Sequence, residues 1–115
     1  MSEMSLPHTA KRLRIYINEG DHWHGKPLDA ALLDALRAQG VAGATLFRGA
    51  AGFGSHHRVH STSIEVLYVN LPVVIEVIDT TEKIEQAVTA IEPMIHEGLV
   101  TAEDVQVVLQ RRQVK

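Results

Sequence analysis

The chain has 115 residues, of which 45% are apolar, 22% charged and 4% aromatic, and these values predict one globular domain with an aliphatic core. A formal net charge of −3 argues against nucleic-acid binding, and the absence of cysteine excludes disulfides and thiolate metal sites. The first residues lack the apolar run of a signal peptide, and the most apolar stretch, residues 66–78, is too short and too polar to span a membrane, so we expect a soluble, cytoplasmic protein without membrane insertion.

The first half of the chain predicts a strand, a helix and a second strand. Apolar and polar residues alternate over Lys11–Glu19, which predicts a half-buried strand, and the polar stretch Gly20–Lys26 predicts a loop. Apolar residues then recur with helical spacing, so we expect a helix with Pro27 in its first turn and Gly40 as its stop. Ala42–Arg48 predicts the second strand.

A long connection rich in glycine and histidine follows the second strand. It covers Gly49–Thr62, and its length of about 14 residues is unusual because most hairpin loops have two to five. Residues 64–69 are compatible with a strand or with an extended arm. The β-branched run Val73–Ile78 predicts a central strand.

The remaining elements are a second helix and a last strand. Asp79 and Glu82 have the spacing of a capping pair, and a helical apolar stripe follows them. Pro93 should kink that helix or end its regular part. Alternation over Val105–Leu109 predicts the last strand.

The predicted element order is therefore β–α–β–β–α–β. Two helices on one face of a four-stranded antiparallel sheet make an α+β, ferredoxin-like fold. We expect a single domain over residues 1–115, with flexible tails at residues 1–10 and 111–115.

The long connection contains two candidate binding features. Glycines at its start allow backbone N–H groups to surround an anion, although an ordinary glycine-rich turn has the same composition. Imidazoles in this segment and in the earlier loop could converge on a divalent metal, or they could be solvated polar residues. A hydrolase or transferase that uses the histidine loop as general base is a third option, but the chain offers no organised catalytic set, so we expect no enzymatic activity. The histidines concerned are His22, His24, His56, His57 and His60.

Residues 43–54, GATLFRGAAGFG, resemble the end of the second strand in PII signalling proteins, where a Gly-x-Thr strand runs into Gly-Phe-Gly before the long T-loop. Residues 71–77, LPVVIEV, are similar to the strand that leaves that loop. The chain more closely resembles the PII-like family known as a domain of unknown function. The motifs that carry this resemblance are HGKPL at 24–28, GAT at 43–45, RG at 48–49, GFG at 52–54, LP at 71–72 and DT at 79–80.

The resemblance implies a homotrimer whose sheets pack around a threefold axis, with ATP or ADP bound in clefts between subunits. It implies that the T-loop-like segment, residues 49–62, contacts a target protein, and a membrane transporter or channel is one candidate class. Lys26 could supply charge to a phosphate. The ligand-binding residues carried over from the motifs are His24, Gly25, Lys26, Thr45, Arg48, Gly49, Gly52, Phe53 and Gly54.

One region departs from the PII pattern. PII proteins carry a Gly-Asp-Gly-Lys phosphate loop before the last strand, whereas residues 99–104 of this chain read LVTAED. This stretch has two acids and no lysine, and acids close to a triphosphate are electrostatically unfavourable. The main hypothesis for function is still a nucleotide sensor, and a trimer that binds a divalent metal through loop histidines is the alternative.

Overall fold

The computed structural model describes residues 9–54 and 70–111, which fold into a mixed α/β domain. Apolar faces of two helices pack on one face of a four-stranded sheet, and a small hairpin lies beside the first helix. The elements are β1 (Thr9–Asn18), β2 (His22–Trp23), β3 (Lys26–Pro27), α1 (Leu28–Ala38), β4 (Thr45–Arg48), β5 (Pro72–Asp79), α2 (Thr81–Ile91), a 3-10 turn (Glu92–Met94) and β6 (Leu99–Gln106).

The main sheet has the strand order β4-β5-β1-β6, and every neighbouring pair is antiparallel. Ile15 in the central strand β1 lies opposite Ile75 of β5 and Val100 of β6. The central strand β1 is thus separated in sequence from each of its two neighbours by at least one helix, whereas β4 and β5 follow one another along the chain. This arrangement confirms the predicted ferredoxin-like fold.

Side chains alternate between the two faces of the sheet, and only one face meets the helices. That face and the apolar stripes of α1 and α2 form the core, in which Leu13, Leu32 and Ile75 are fully buried. The other face, which we call the open face, carries side chains that are half-buried or exposed along most of its length. Its members include Arg12, Arg14, Tyr16, Thr45, Phe47, Val74, Glu76, Ile78, Leu99, Thr101 and Glu103.

Both predicted helices are present, with small differences at their starts. Pro27 lies one residue before α1 rather than in its first turn, and Gly40, at φ +76°, follows the helix as predicted. The predicted capping pair of α2 is wrong, because Thr80 is the N-cap and its hydroxyl accepts a hydrogen bond from the Lys83 N–H. Pro93 ends the regular helix in the 3-10 turn, which confirms the prediction.

The largest difference from the sequence-based prediction concerns the position of the last strand. It begins at Leu99, six positions before the predicted Val105, and it ends at Gln106. Residues 101–104 are exposed on both faces of this edge strand, so no apolar alternation marks them. Pairing with β1 defines the strand instead.

Other boundaries also differ from the prediction. β4 begins at Thr45 rather than Ala42, and the predicted loop before α1 contains the β2–β3 hairpin. β1 begins at Thr9, and Ala10 is only 2% exposed, so the predicted flexible tail is wrong for these two residues. The predicted arm at 64–69 and most of the T-loop-like segment lie outside the described residues.

Candidate functional site

A cavity of about 790 Å³ lies between the start of β4 and the C-terminal part of the chain. Residues 42–45 form one wall and residues 105–110 form another, while Glu76, Ile78 and Arg12 contribute from the two central strands. The register places Arg12 opposite Ile78 and Thr45 opposite Glu76, so these four side chains share the open face. The cavity is therefore built on the face of the sheet that the helices leave uncovered.

The wall formed by residues 42–45 has small side chains. Ala42, Gly43 and Ala44 all line the cavity, and a Cβ added at Gly43 would meet no atom of the described residues within 4 Å. Thr45 adds a hydroxyl, and Ile78 of β5 contributes an aliphatic side chain to the lining. Such a surface suits a flat, largely apolar ring with a few polar edges.

Two ion pairs lie on the open face at this end of the sheet. Arg12 Nε donates to Glu103 Oε1 at 3.1 Å, and Arg14 Nε donates to Glu76 Oε2 at 3.0 Å. The hydrogen bond from Arg12 lowers the pKa of Glu103, and the hydrogen bond to Glu76 raises the pKa of Arg14. Both carboxylates thus have a charged partner.

A buried carboxylate holds the start of the small-residue wall. Asp79 is 5% exposed, and its Oδ2 accepts from the Ala42 N–H at 2.7 Å. Its Oδ1 accepts from the Thr80 N–H at 2.7 Å, at the start of α2. One side chain therefore joins the cavity wall to the second helix.

The base of the long connection packs on the first residue of β5. The Gly49 N–H donates to the Pro72 carbonyl at 2.8 Å, and a Cβ added at Gly49 would lie 2.7 Å from Pro72 Cγ. A Cβ added at Gly52 would lie 2.9 Å from the same atom. Glycine is therefore required at both positions for this close approach, and Phe53 follows with 71% of its surface exposed.

Arg48 belongs to this loop base and not to the cavity. Its Nη1 lies 3.6 Å from Glu19 Oε2, and its Nη2 lies 3.5 Å from Asp29 Oδ2, at the start of α1. Thr45 and Arg48 are three residues apart in one strand, so their side chains project from opposite faces.

The predicted residues His24, Gly25 and Lys26 form the turn and second strand of the small hairpin. His24 and Gly25 both have positive φ, at +50° and +79°. The His24 ring stacks on Trp23 with centroids 4.0 Å apart, and Lys26 Nζ lies 3.4 Å from Asp34 Oδ2. Among the predicted ligand residues, the cavity is lined by Thr45 alone, and the assignments of the others stay predictions.

The alternative metal site gains no support from the described part of the chain. Within residues 9–54 and 70–111, no group of three or more His, Asp or Glu side chains could hold a metal ion. His56, His57 and His60 lie outside these residues. The same residues contain no helix long and apolar enough to cross a membrane.

Sequence reasoning missed most of the cavity. Arg12, Glu76 and Ile78 look like ordinary outward-facing strand residues, and only the register brings them beside Thr45. The period-two alternation does mark which residues share the open face, but it cannot predict which strands are neighbours.

Comparison with known proteins identifies the family. The profile of DUF190, described as "Uncharacterized ACR", matches residues 10–107. The chain is a DUF190 protein. A UPF0166 protein of Aquifex aeolicus is 40% identical to it over 98 residues, which cover 85% of this chain and 92% of the relative. A UPF0166 protein of Methanocaldococcus jannaschii is 35% identical over 96 residues, which cover 83% of this chain and 88% of the relative.

A solved structure extends the comparison to PII-like proteins. This DUF190 chain is 25% identical to CPII, a nitrogen regulatory PII-like protein from Thiomonas intermedia K12 whose structure holds ADP, AMP and bicarbonate. The match has a TM-score of 0.63 and covers 89% of this chain and 96% of CPII. The sequence-based identification as a PII-like domain of unknown function is confirmed.

Proposed function

We propose that this DUF190 protein is a non-enzymatic, PII-like regulator that binds an adenine nucleotide in the cavity beside β4. The observation that carries the proposal is the position of the Gly43-Ala44-Thr45 motif, which forms a wall of that cavity. This is one of the motifs on which the resemblance to PII proteins rests. A volume of about 790 Å³ also falls within the range of about 300–1,000 Å³ that ligand pockets occupy.

The fold comparison supports the class of ligand. CPII shares the fold over most of both chains, and its structure holds ADP and AMP. In this chain the small side chains at 42–44 and the aliphatic Ile78 would accept an adenine ring, and the Thr45 hydroxyl would supply a polar contact. The proposal needs no catalytic group, because binding itself is the signal in a regulator of this kind.

We propose that the protein assembles as a homotrimer through its open face. One transverse row of that face is apolar across all four strands, since Phe47 lies opposite Val74, Val74 opposite Tyr16, and Tyr16 opposite Leu99. Phe47 is 51% exposed and Leu99 is 58% exposed in the single chain. Exposed apolar rows of this kind favour contact with another protein surface, and packing of open faces would place a neighbouring copy against the cavity.

We further propose that the segment beginning at Gly49 contacts a target protein in the cytoplasm. Its base, at Gly49 and Gly52, is held against Pro72 by the hydrogen bond and the close packing described above. The segment would therefore start from a fixed point of the fold when it contacts a target. Nucleotide binding would favour one arrangement of this segment over another, as population shift requires. Membrane transporters and channels are candidate targets.

The nucleotide proposal is tested by calorimetry with AMP, ADP and ATP, together with native mass spectrometry of the freshly purified protein. The informative variant is Gly43→Leu, because Gly43 lines the cavity and the first atom of the new side chain, its Cβ, would lie more than 4 Å from the described neighbouring atoms. We expect it to abolish nucleotide binding and to leave the fold intact. Ala30→Leu, on the exposed surface of α1, controls for an added surface leucine.

Three results would contradict the proposal. The first is the absence of heat at millimolar nucleotide, and the second is unchanged affinity in Gly43→Leu. A monomer by native mass spectrometry at working concentration would contradict the trimeric assembly.

A further inference from the structure

The charged groups of the cavity are already paired within the chain. Among the described residues, Arg12 and Glu76 are the charged side chains in its lining. Arg12 is bound by Glu103 through both Nε and Nη2, and Glu76 accepts from Arg14. The two pairs together have no net charge, so this part of the cavity presents no uncommitted cation.

The pairing of Arg12 is specific to one face of β6. Glu103 lies opposite Arg12 on the open face, whereas the next residue, Asp104, lies opposite Lys11 on the helix-side face. Lys11 Nζ contacts Asp104 Oδ1 at 2.8 Å. Glu103 and Asp104 therefore pair with different cations, and of these two cations only Arg12 lines the cavity.

A phosphate chain gains affinity only from cations that are free to meet it. Each added phosphate adds negative charge and loses hydration when it enters the cavity. A guanidinium that is already paired with a carboxylate offsets little of this desolvation cost. The Glu103 carboxylate also repels a phosphate that approaches Arg12. A ligand with few phosphates avoids both costs.

We propose that the cavity prefers adenine ligands of low charge, nucleoside monophosphates over triphosphates, and that Glu103 sets this preference by occupying Arg12. This inference rests on the proposed nucleotide site. It makes Glu103 a specificity-determining residue that acts through Arg12. The acidic LVTAED stretch, which departs from the PII phosphate loop, thereby acquires a role in ligand choice.

The test measures the affinities of adenosine, AMP, ADP and ATP for the full-length protein and for two variants. Glu103→Gln removes one negative charge on the open face, and Asp104→Asn removes one on the opposite face. Both variants change the net charge equally, so any difference between them is local. In the single chain the side chains of Glu103 and Asp104 are 55% and 71% exposed, so neither substitution removes a charge that the chain itself buries.

We expect the unaltered protein to bind AMP more tightly than ATP. Glu103→Gln should strengthen ATP binding by about five-fold, the upper range for an exposed ion pair, and leave adenosine binding unchanged. The gain should shrink as salt is added. Asp104→Asn should leave the ratio of ATP to AMP affinity unchanged.

Two outcomes separate the inference from the function it rests on. If the unaltered protein binds ATP as tightly as AMP or more tightly, or if both variants shift the ratio equally, the charge preference is wrong and the nucleotide site stands. If neither adenosine nor any nucleotide binds, the nucleotide site is wrong and the preference is overturned with it.

Discussion

Replacement of the buried carboxylate Asp79 by asparagine should loosen the cavity wall from the second helix. The two carboxylate oxygens accept from the N–H groups of Ala42 and Thr80, each at 2.7 Å. An asparagine side chain has one oxygen and an amide group that can only donate, so one of the two N–H groups must lose its partner. The substitution keeps size and shape, which isolates the hydrogen bond from packing.

The expected cost follows from these two contacts. A hydrogen bond to a charged acceptor contributes about 1.5–3 kcal/mol. Ala42 is an exposed residue and its hydrogen bond to Asp79 is only part-buried, so we expect a loss near the lower value, about 1.5 kcal/mol. The Ala42 amide should then exchange hydrogen roughly ten-fold faster, the factor that corresponds to about 1.4 kcal/mol.

Urea unfolding at one fixed protein concentration measures the free energy of unfolding, and the concentration must be fixed because assembly shifts apparent stability. Hydrogen exchange at residues 42–45 measures the wall itself. Asp34→Asn is the matched control, since Asp34 is 69% exposed and contacts Lys26 at 3.4 Å. The control should change stability by no more than about 0.5 kcal/mol. An equally small change in Asp79→Asn, with unaltered exchange at Ala42, would refute the anchoring role.

Three other substitutions test separate features. Gly49→Ala should destabilise the protein by about 1–3 kcal/mol in urea, because its Cβ would lie 2.7 Å from the proline ring that begins β5. Gly54→Ala, whose Cβ would meet no atom of the described residues within 4 Å, should be neutral. Equal effects would contradict the steric account. Arg12 lowers the pKa of Glu103 from its ordinary value, so the ion pair stabilises the fold above the unfolded pKa, and this stabilisation is lost as the pH falls through the lower folded pKa. Glu103→Gln should therefore weaken the dependence of the free energy of unfolding on pH in the acidic range. An unchanged pH dependence would show that the ion pair contributes nothing to stability. Phe47→Asp on the apolar row should shift native mass spectra towards the monomer, and an unchanged assembly would exclude that row from the interface.

The helices and the central strands could be predicted because each buries one periodic stripe. The residues that the helical spacing marked in α1, among them Leu32 and Leu36, are fully buried in the core. The edge strand β6 has no comparable stripe, so its start was predicted six positions too late. The β2–β3 hairpin was missed because two-residue strands are too short to show any period.

The candidate site was harder to predict than the fold. The motif that contains Thr45 marks a wall of the cavity, but Arg48 in the same strand points to the other face and meets Glu19 and Asp29. Glu76 and Arg12 both line the cavity because β1 pairs with β5, although the two residues are more than sixty positions apart in the sequence. Local patterns do not contain that information, because the order of strands in a sheet is a property of the whole chain.

Trp23 is the chain's sole indole, and it gives the protein an optical label of its own. The His24 ring stacks on the indole of Trp23, with the ring centroids 4.0 Å apart. The ring of His96, from the segment that leads into β6, has its centroid 5.8 Å from that of Trp23. The small hairpin and the last connection therefore meet at a single chromophore. Intrinsic emission can follow the separation of these two parts during titration or unfolding, without attached dyes and without any change to the sequence.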